Sequence, residues 1–197
     1  MSRFSKTRVE ALTDGVFAFA MTLLVLDIRL PDDLDIRTAA DLSAHLAGLW
    51  HQTLTYLISF FVLGAFWRTG AAVRPNDELV DGNVTRLTLF YLFFVTTVPF
   101  SSGLVGRYSE FTPAVLVYSA NLAMLGVLAI ALRYLDVKPG SRSLAAAAGS
   151  RLPLLLATAA GSALLGVVAP RQAMFVYLLN FLTRLPFWPG RGNDRQG

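Results

Sequence analysis

Apolar, uncharged stretches alternate along this chain with short clusters of charge, at the wavelength of a protein threaded repeatedly through a bilayer. Uninterrupted runs between successive Lys, Arg, Asp and Glu residues cover 15–26, 42–67, 87–106, 111–132, 152–170 and 172–183. About 20 mostly apolar residues in a helix cross about 30 Å of hydrocarbon, so the four middle runs reach or nearly reach spanning length unaided. The last reaches it if Arg171 and Arg184 extend toward opposite interfaces. The first reaches it over 10–30, which places Asp14 and Asp27 on a helix that faces protein or water rather than lipid. The pattern predicts six transmembrane helices near 8–30, 42–68, 82–106, 111–134, 150–170 and 171–188. They form a single domain over 1–190, with a cytoplasmic tail at 191–197.

Breaks fall where these cuts put them, at Pro31-Asp32-Asp33, Arg74-Pro75-Asn76-Asp77 and Lys138-Pro139-Gly140. Pro113 and Pro153 stand near helix starts, where a missing N–H costs little. Pro99 lies inside the third helix and is expected to kink it. No internal duplication is visible.

Composition narrows the class. The chain is 54% hydrophobic and 15% charged. In a bilayer each backbone N–H and C=O must be satisfied within its own segment or barrel, and runs of this length satisfy them as helices. The fold class is therefore all-α and polytopic. With no cysteine there is no disulfide framework, thiolate metal site or cysteine nucleophile. Asp14 interrupts the first run and no small-residue cleavage pattern follows Leu30, so that run reads as a retained helix. The pI near 9.8 invites a nucleic-acid reading, but the basic residues form no stripe with interleaved aromatics.

Topology accounts for the basic residues better. With a cytoplasmic N-terminus, thirteen of the 17 Lys and Arg residues fall inside, leaving Arg29, Arg37, Arg107 and Arg171 outside. Both termini are then cytoplasmic in a multi-pass cell-membrane protein. Asp27, Asp32, Asp33, Asp35 and Asp41 crowd the first external connection. They form either a negative collar that concentrates cations or, more commonly for such loops, a solvated acidic surface.

On the first helix Phe19, Leu23, Leu26 and Leu30 recur at helical spacing, with Thr22 beside them. Ordinary packing explains a stripe of this kind equally well. What sets this helix apart is its short uncharged run and its two membrane-depth carboxylates, which suit a helix enclosed by neighbours or lining a pore. One such helix per six-helix subunit means that a pore needs several copies around a closed axis.

The segment Arg8-Val9-Glu10-Ala11-Leu12-Thr13-Asp14 resembles the signature of the endosomal and lysosomal potassium channel family, in particular its bacterial members. That signature is an Arg, three variable residues and Phe-Ser-Asp at the start of the first helix. Here Leu12-Thr13-Asp14 replaces Phe-Ser-Asp. Phe66-Trp67, Asn83 and Pro99-Phe100 are also similar to the family's pattern, so the resemblance covers the first three helices. It implies a potassium-permeable cation channel, assembled as a tetramer, whose first helices line the pore. On this chain the constriction then falls at Phe19, Leu23 and Leu26, with Thr22 supplying the one hydroxyl. Phe19 departs from the usual Ile or Leu and narrows the passage. No Thr-Val-Gly-Tyr-Gly carbonyl filter is present. An apolar ring gates by dewetting and discriminates by how easily an ion sheds water.

An intramembrane carboxylate needs a partner. A structural network on the cytoplasmic side is expected, with Asp14 as acceptor, Trp67 and Asn83 as donors and Arg8 keeping the carboxylate ionised. The competing readings are a secondary transporter coupled through Asp14, which calls for repeats and broken helices, and a non-conducting membrane scaffold. Nothing resembles the paired acid–base or metal constellation of an enzyme. His45 and His51 are six residues apart and point to different faces, so they read as interfacial residues. Expected partners are further copies of the chain, lipid and monovalent cations, with potassium as the permeating ion and no nucleic acid or bound cofactor. Ala157 and Gly161 offer a weak site for close helix approach.

Overall fold

The computed structural model describes residues 3–31, 34–70, 79–136, 143 and 152–178. In chain order these form strand β1 (Arg3–Ser5), helix α1 (Lys6–Leu23), a 3-10 turn (Leu24–Asp27), α2 (Ala39–Gly48), α3 (Trp50–Gly70), β2 (Leu79–Asp81), α4 (Gly82–Arg107), α5 (Thr112–Asp136), α6 (Leu152–Val168), α7 (Pro170–Ala173) and a second 3-10 turn (Met174–Leu178).

Among the described residues, three helical segments are long and apolar enough to cross a membrane: Lys6–Asp27, Gly82–Arg107 and Thr112–Leu135. A fourth exists if α2 and α3 are counted as one bent span. The sixth expected span is described only as far as Leu178. Its remainder and the tail lie outside the described residues.

Three boundaries differ from the apolar runs for local reasons. The expected single helix over 42–68 is two helices meeting at 44°. Its front piece starts early because Thr38 and Asp41 form a reciprocal cap, Asp41 N–H donating to Thr38 Oγ1 at 3.1 Å and Thr38 N–H to Asp41 Oδ2 at 2.9 Å. It stops where Leu49, with ψ near 2°, leaves the α region. The first helix tightens to 3-10 after Leu23 and leaves helical geometry at Ile28. The fifth ends at Val168 because Ala169 precedes Pro170 and is held out of the α region, at φ −144°. By contrast α4 continues through Pro99 as one helix. Beside that proline, the Asn121 side-chain amide of α5 lies 3.1 Å from both Thr97 Oγ1 and Ser101 Oγ.

A two-stranded antiparallel ribbon, pairing Arg3 with Asp81 and Ser5 with Leu79, modifies the all-α expectation. It leads directly into α1 and α4 and so brings the starts of those helices to one end of the molecule. At the other end Asp27, just past α1, pairs with Arg107 at the end of α4 at 3.4 Å. The two helices therefore run side by side in the same direction, as they must if α2 and α3 together make a single return crossing.

The core lies between α3, α4, α5 and α6, around Leu63, Val95, Val98, Leu125 and Leu152. Polar side chains at this depth turn inward and pair across helices. Ser59 lies 2.8 Å from Ser102 Oγ and 2.9 Å from the Tyr118 hydroxyl, and Tyr177 donates to Ser119 at 3.1 Å. Each such bond contributes about 0.6 kcal/mol in a membrane interior. Close approach of α5 and α6 uses Gly126 and Gly166 rather than the Ala157–Gly161 pair. A Cβ on Gly126 would lie 2.5 Å from Leu156, whereas one on Gly161 meets only an ordinary 3.5 Å contact.

Candidate functional site

Helix α1 packs one face and leaves the rest open. Phe17, Ala20 and Leu24 recur at i, i+3 and i+7 and are buried against α3 and α4. On the opposite side Arg8, Leu12, Gly15, Phe19, Thr22 and Leu26 form a continuous exposed line, with Phe19 65% and Leu26 66% exposed. Only 17% of the apolar window of this span is buried, against 50% for α4 and 44% for α5. Phe19, Thr22 and Leu26 thus share the centre of the open face, while Leu23 is half-buried on its flank. Thr22 donates its hydroxyl hydrogen to the Phe19 carbonyl at 2.8 Å, which leaves the lone pairs of this exposed oxygen able to accept.

Of the four residues of the expected polar network, two meet. Trp67 Nε1 donates to Asp14 Oδ1 at 2.8 Å, joining α3 to α1. Among the described residues neither Arg8 nor Asn83 hydrogen bonds to Asp14, and both are exposed. One indole donor on a carboxylate at the edge of the open face is an anchoring arrangement: it fixes the rotation of α1 relative to α3.

At the opposite end, acids and arginines assigned to the outer side pair with one another. Asp27 pairs with Arg107 at 3.4 Å, Asp35 with Arg37 and Glu110 with Arg171 at 2.7 Å. Asp41 caps α2. Three of the five expected collar carboxylates are therefore engaged locally, which favours the plain acidic surface over a free cation-concentrating ring. Asp32 and Asp33 lie outside the described residues. No cluster of three metal-ligating side chains occurs among the described residues. His45 is half-buried on α2, and His51 stacks on Trp50 with ring centroids 3.7 Å apart.

The pairing of Asp27 with Arg107 was not legible in the sequence. The two residues are 80 positions apart, and only the shared outer assignment of both ends hinted at proximity.

Residues 8–99 match the family model described as endosomal/lysosomal potassium channel TMEM175. Over these residues, a little under half of its length, the chain is similar to that family. A potassium channel of Streptomyces collinus is 36% identical over 101 residues, covering 51% of this chain and 48% of that protein. The endosomal/lysosomal proton channel TMEM175 of Mus musculus is 43% identical over 100 residues, covering 48% of this chain and 20% of that protein. The chain thus spans about half the length of the first relative and a fifth of the second. The crystal structure of a lysosomal potassium-selective channel TMEM175 homolog from Chamaesiphon minutus shares the fold with a TM-score of 0.74 at 24% identity, over 89% of this chain and 94% of that one.

Proposed function

We propose that this chain is the subunit of a potassium-permeable cation channel in which four copies place α1 around a central axis. The observation that carries the reading is the open line Phe19–Thr22–Leu26 on a helix that carries the family-like signature and whose opposite side is buried at Phe17, Ala20 and Leu24. A helix at the centre of a ring needs that division: one face held by its own subunit, the other left for the passage.

Phe19 and Leu26 form two apolar constrictions about two helical turns apart, and neither can replace an ion's hydration shell. Passage is then governed by wetting and by the cost of shedding water, which is lower for potassium than for sodium. Thr22 lies between them and offers the one oxygen on this line that can stand in for a lost water. Leu23, on the flank, shapes the wall between neighbouring copies. Six spans per subunit, both termini cytoplasmic and the ribbon at the inner mouth complete the arrangement in a cell membrane. The Asp14–Trp67 bond holds the helix at its inner half, a structural task rather than proton carriage.

The test is flux into liposomes containing the purified protein. A potassium gradient alone should drive flux, and Phe19→Ala and Leu26→Ala should each increase it several-fold or reduce the preference for potassium over sodium. The reading fails if the parent carries no potassium, or if both variants match it. Flux of protons that ignores the potassium gradient assigns instead the ion named for the vertebrate relatives.

A further inference from the structure

The outer end of α1 is held by a contact that the family-matched signature does not include. Asp27 follows Leu24 by three residues and lies on its packed side, away from Phe19, Thr22 and Leu26. Its carboxylate therefore does not ring the passage. It lies on α4, directly against Gly103: a Cβ at that position would collide with the carboxylate carbon and both oxygens. Only glycine leaves this space free. Arg107, one turn further on, reaches the same carboxylate at 3.4 Å, with both side chains about one-third exposed.

Between these groups is a small cleft lined by Leu24, Asp27, Gln52, Tyr56, Ser102 and Gly103. Gln52 Oε1, from α3, is buried there with no hydrogen-bond partner among the described residues. A buried amide oxygen without a donor is costly, and the cleft has room for one water molecule. Gln52 Oε1 and the Asp27 carboxylate are both acceptors, and one water carries two O–H groups. A metal cation fits less well, because the Arg107 guanidinium already supplies the positive charge.

We propose that Asp27, Arg107 and Gln52, bridged by one bound water, form a clasp that ties the outer end of α1 to α3 and α4 and sets the width of the passage. The clasp itself stands on the contacts above; its effect on the passage rests on the channel reading. The neighbouring turn is already 3-10 and ends in non-helical backbone at Ile28, so beyond the burial of Leu24 at its start the Asp27 contacts are what hold its outer end. Leu26, next to Asp27, is one of the two constricting residues. Asp27 and Arg107 are positioning residues: they act on ions through the orientation of Leu26.

The experiment uses the full chain in lipid nanodiscs and liposomes. Asp27→Asn, Arg107→Gln, their double variant and Gln52→Leu are compared with Arg37→Ala, which breaks an exposed pair elsewhere. Amide hydrogen exchange over 24–30 should accelerate about tenfold in Asp27→Asn and Arg107→Gln and remain at the parental rate in Arg37→Ala. Gln52→Leu should accelerate it less. Potassium flux should change about threefold in each charge variant at unchanged oligomer size, and the double variant should match the stronger single one, because both remove the same contact. Arg107→Gln leaves the packed carboxylate in place, so it carries the test if Asp27→Asn does not assemble. Unchanged exchange overturns the clasp. Accelerated exchange with parental flux overturns its control of the passage. A parent that conducts nothing defeats the channel reading, and exchange alone then decides whether the clasp exists.

Discussion

A carboxylate at the depth of Asp14 is tolerated because something donates to it, and the donor here is a single indole. Replacing Trp67 with Phe keeps an aromatic side chain but removes the N–H together with the pyrrole ring, so the expected cost is about 1 kcal/mol for the bond, plus the lost packing, read as a lower thermal midpoint in detergent. Asp14→Asn retains a carbonyl oxygen that can accept the same bond and should cost less than Trp67→Phe. An equal or larger loss would mean that the ionised group matters beyond this bond. Thr22 presents a different case at the same scale. On the proposed channel reading its hydroxyl is the one polar side chain between Phe19 and Leu26 on the open line, so Thr22→Val should lower the preference for potassium over sodium, measured as a shift in reversal potential, while Thr22→Ser preserves it. An unshifted potential in Thr22→Val would remove that oxygen from the conduction path.

At the scale of elements, the charge-free runs overlap the described helices α1, α3, α4, α5 and α6 because burial in lipid demands long stretches without charge. Interruptions were harder to read. The bend at Leu49 lies inside an unbroken apolar run, and hydropathy carries no information about a local ψ. The cap that starts α2 was present in the spacing of Thr38 and Asp41, a short motif beneath the hydropathy signal. Removing it with Thr38→Ala should destabilise α2 locally by about 1 kcal/mol, seen as faster hydrogen exchange over 39–48 with α3 unaffected. Spread of the effect into α3 would indicate that the two helices behave as one rigid span. The ribbon escaped notice because three-residue strands show no period. The open face of α1 was partly legible: the spacing of Phe19 and Leu26 identified the stripe, but only packing against α3 and α4 places Thr22 at its centre and Leu23 on its edge. Asp14 and Trp67 could be paired from topology and residue chemistry, whereas Asp27 and Arg107 could not, because their meeting depends on how two parallel helices are aligned.

At the scale of the whole molecule, the surface left uncovered is the deciding feature. Helix α1 buries 17% of its apolar window although it lies against two neighbours and is fixed at both ends, by the ribbon and by the Asp27–Arg107 pair. The chain thus holds this helix on one side and leaves the other open, an arrangement that suits the proposed ring of identical copies. The purified protein should accordingly run in mild detergent at the size of four chains plus micelle. A monodisperse single chain would contradict the assembly. The most direct measurement is the structure of the intact oligomer in a lipid nanodisc by electron microscopy. The account predicts α1 of every subunit nearest the symmetry axis, with Phe19, Thr22 and Leu26 directed at it. Finding α1 at the lipid-facing periphery, with another helix at the axis, would contradict it.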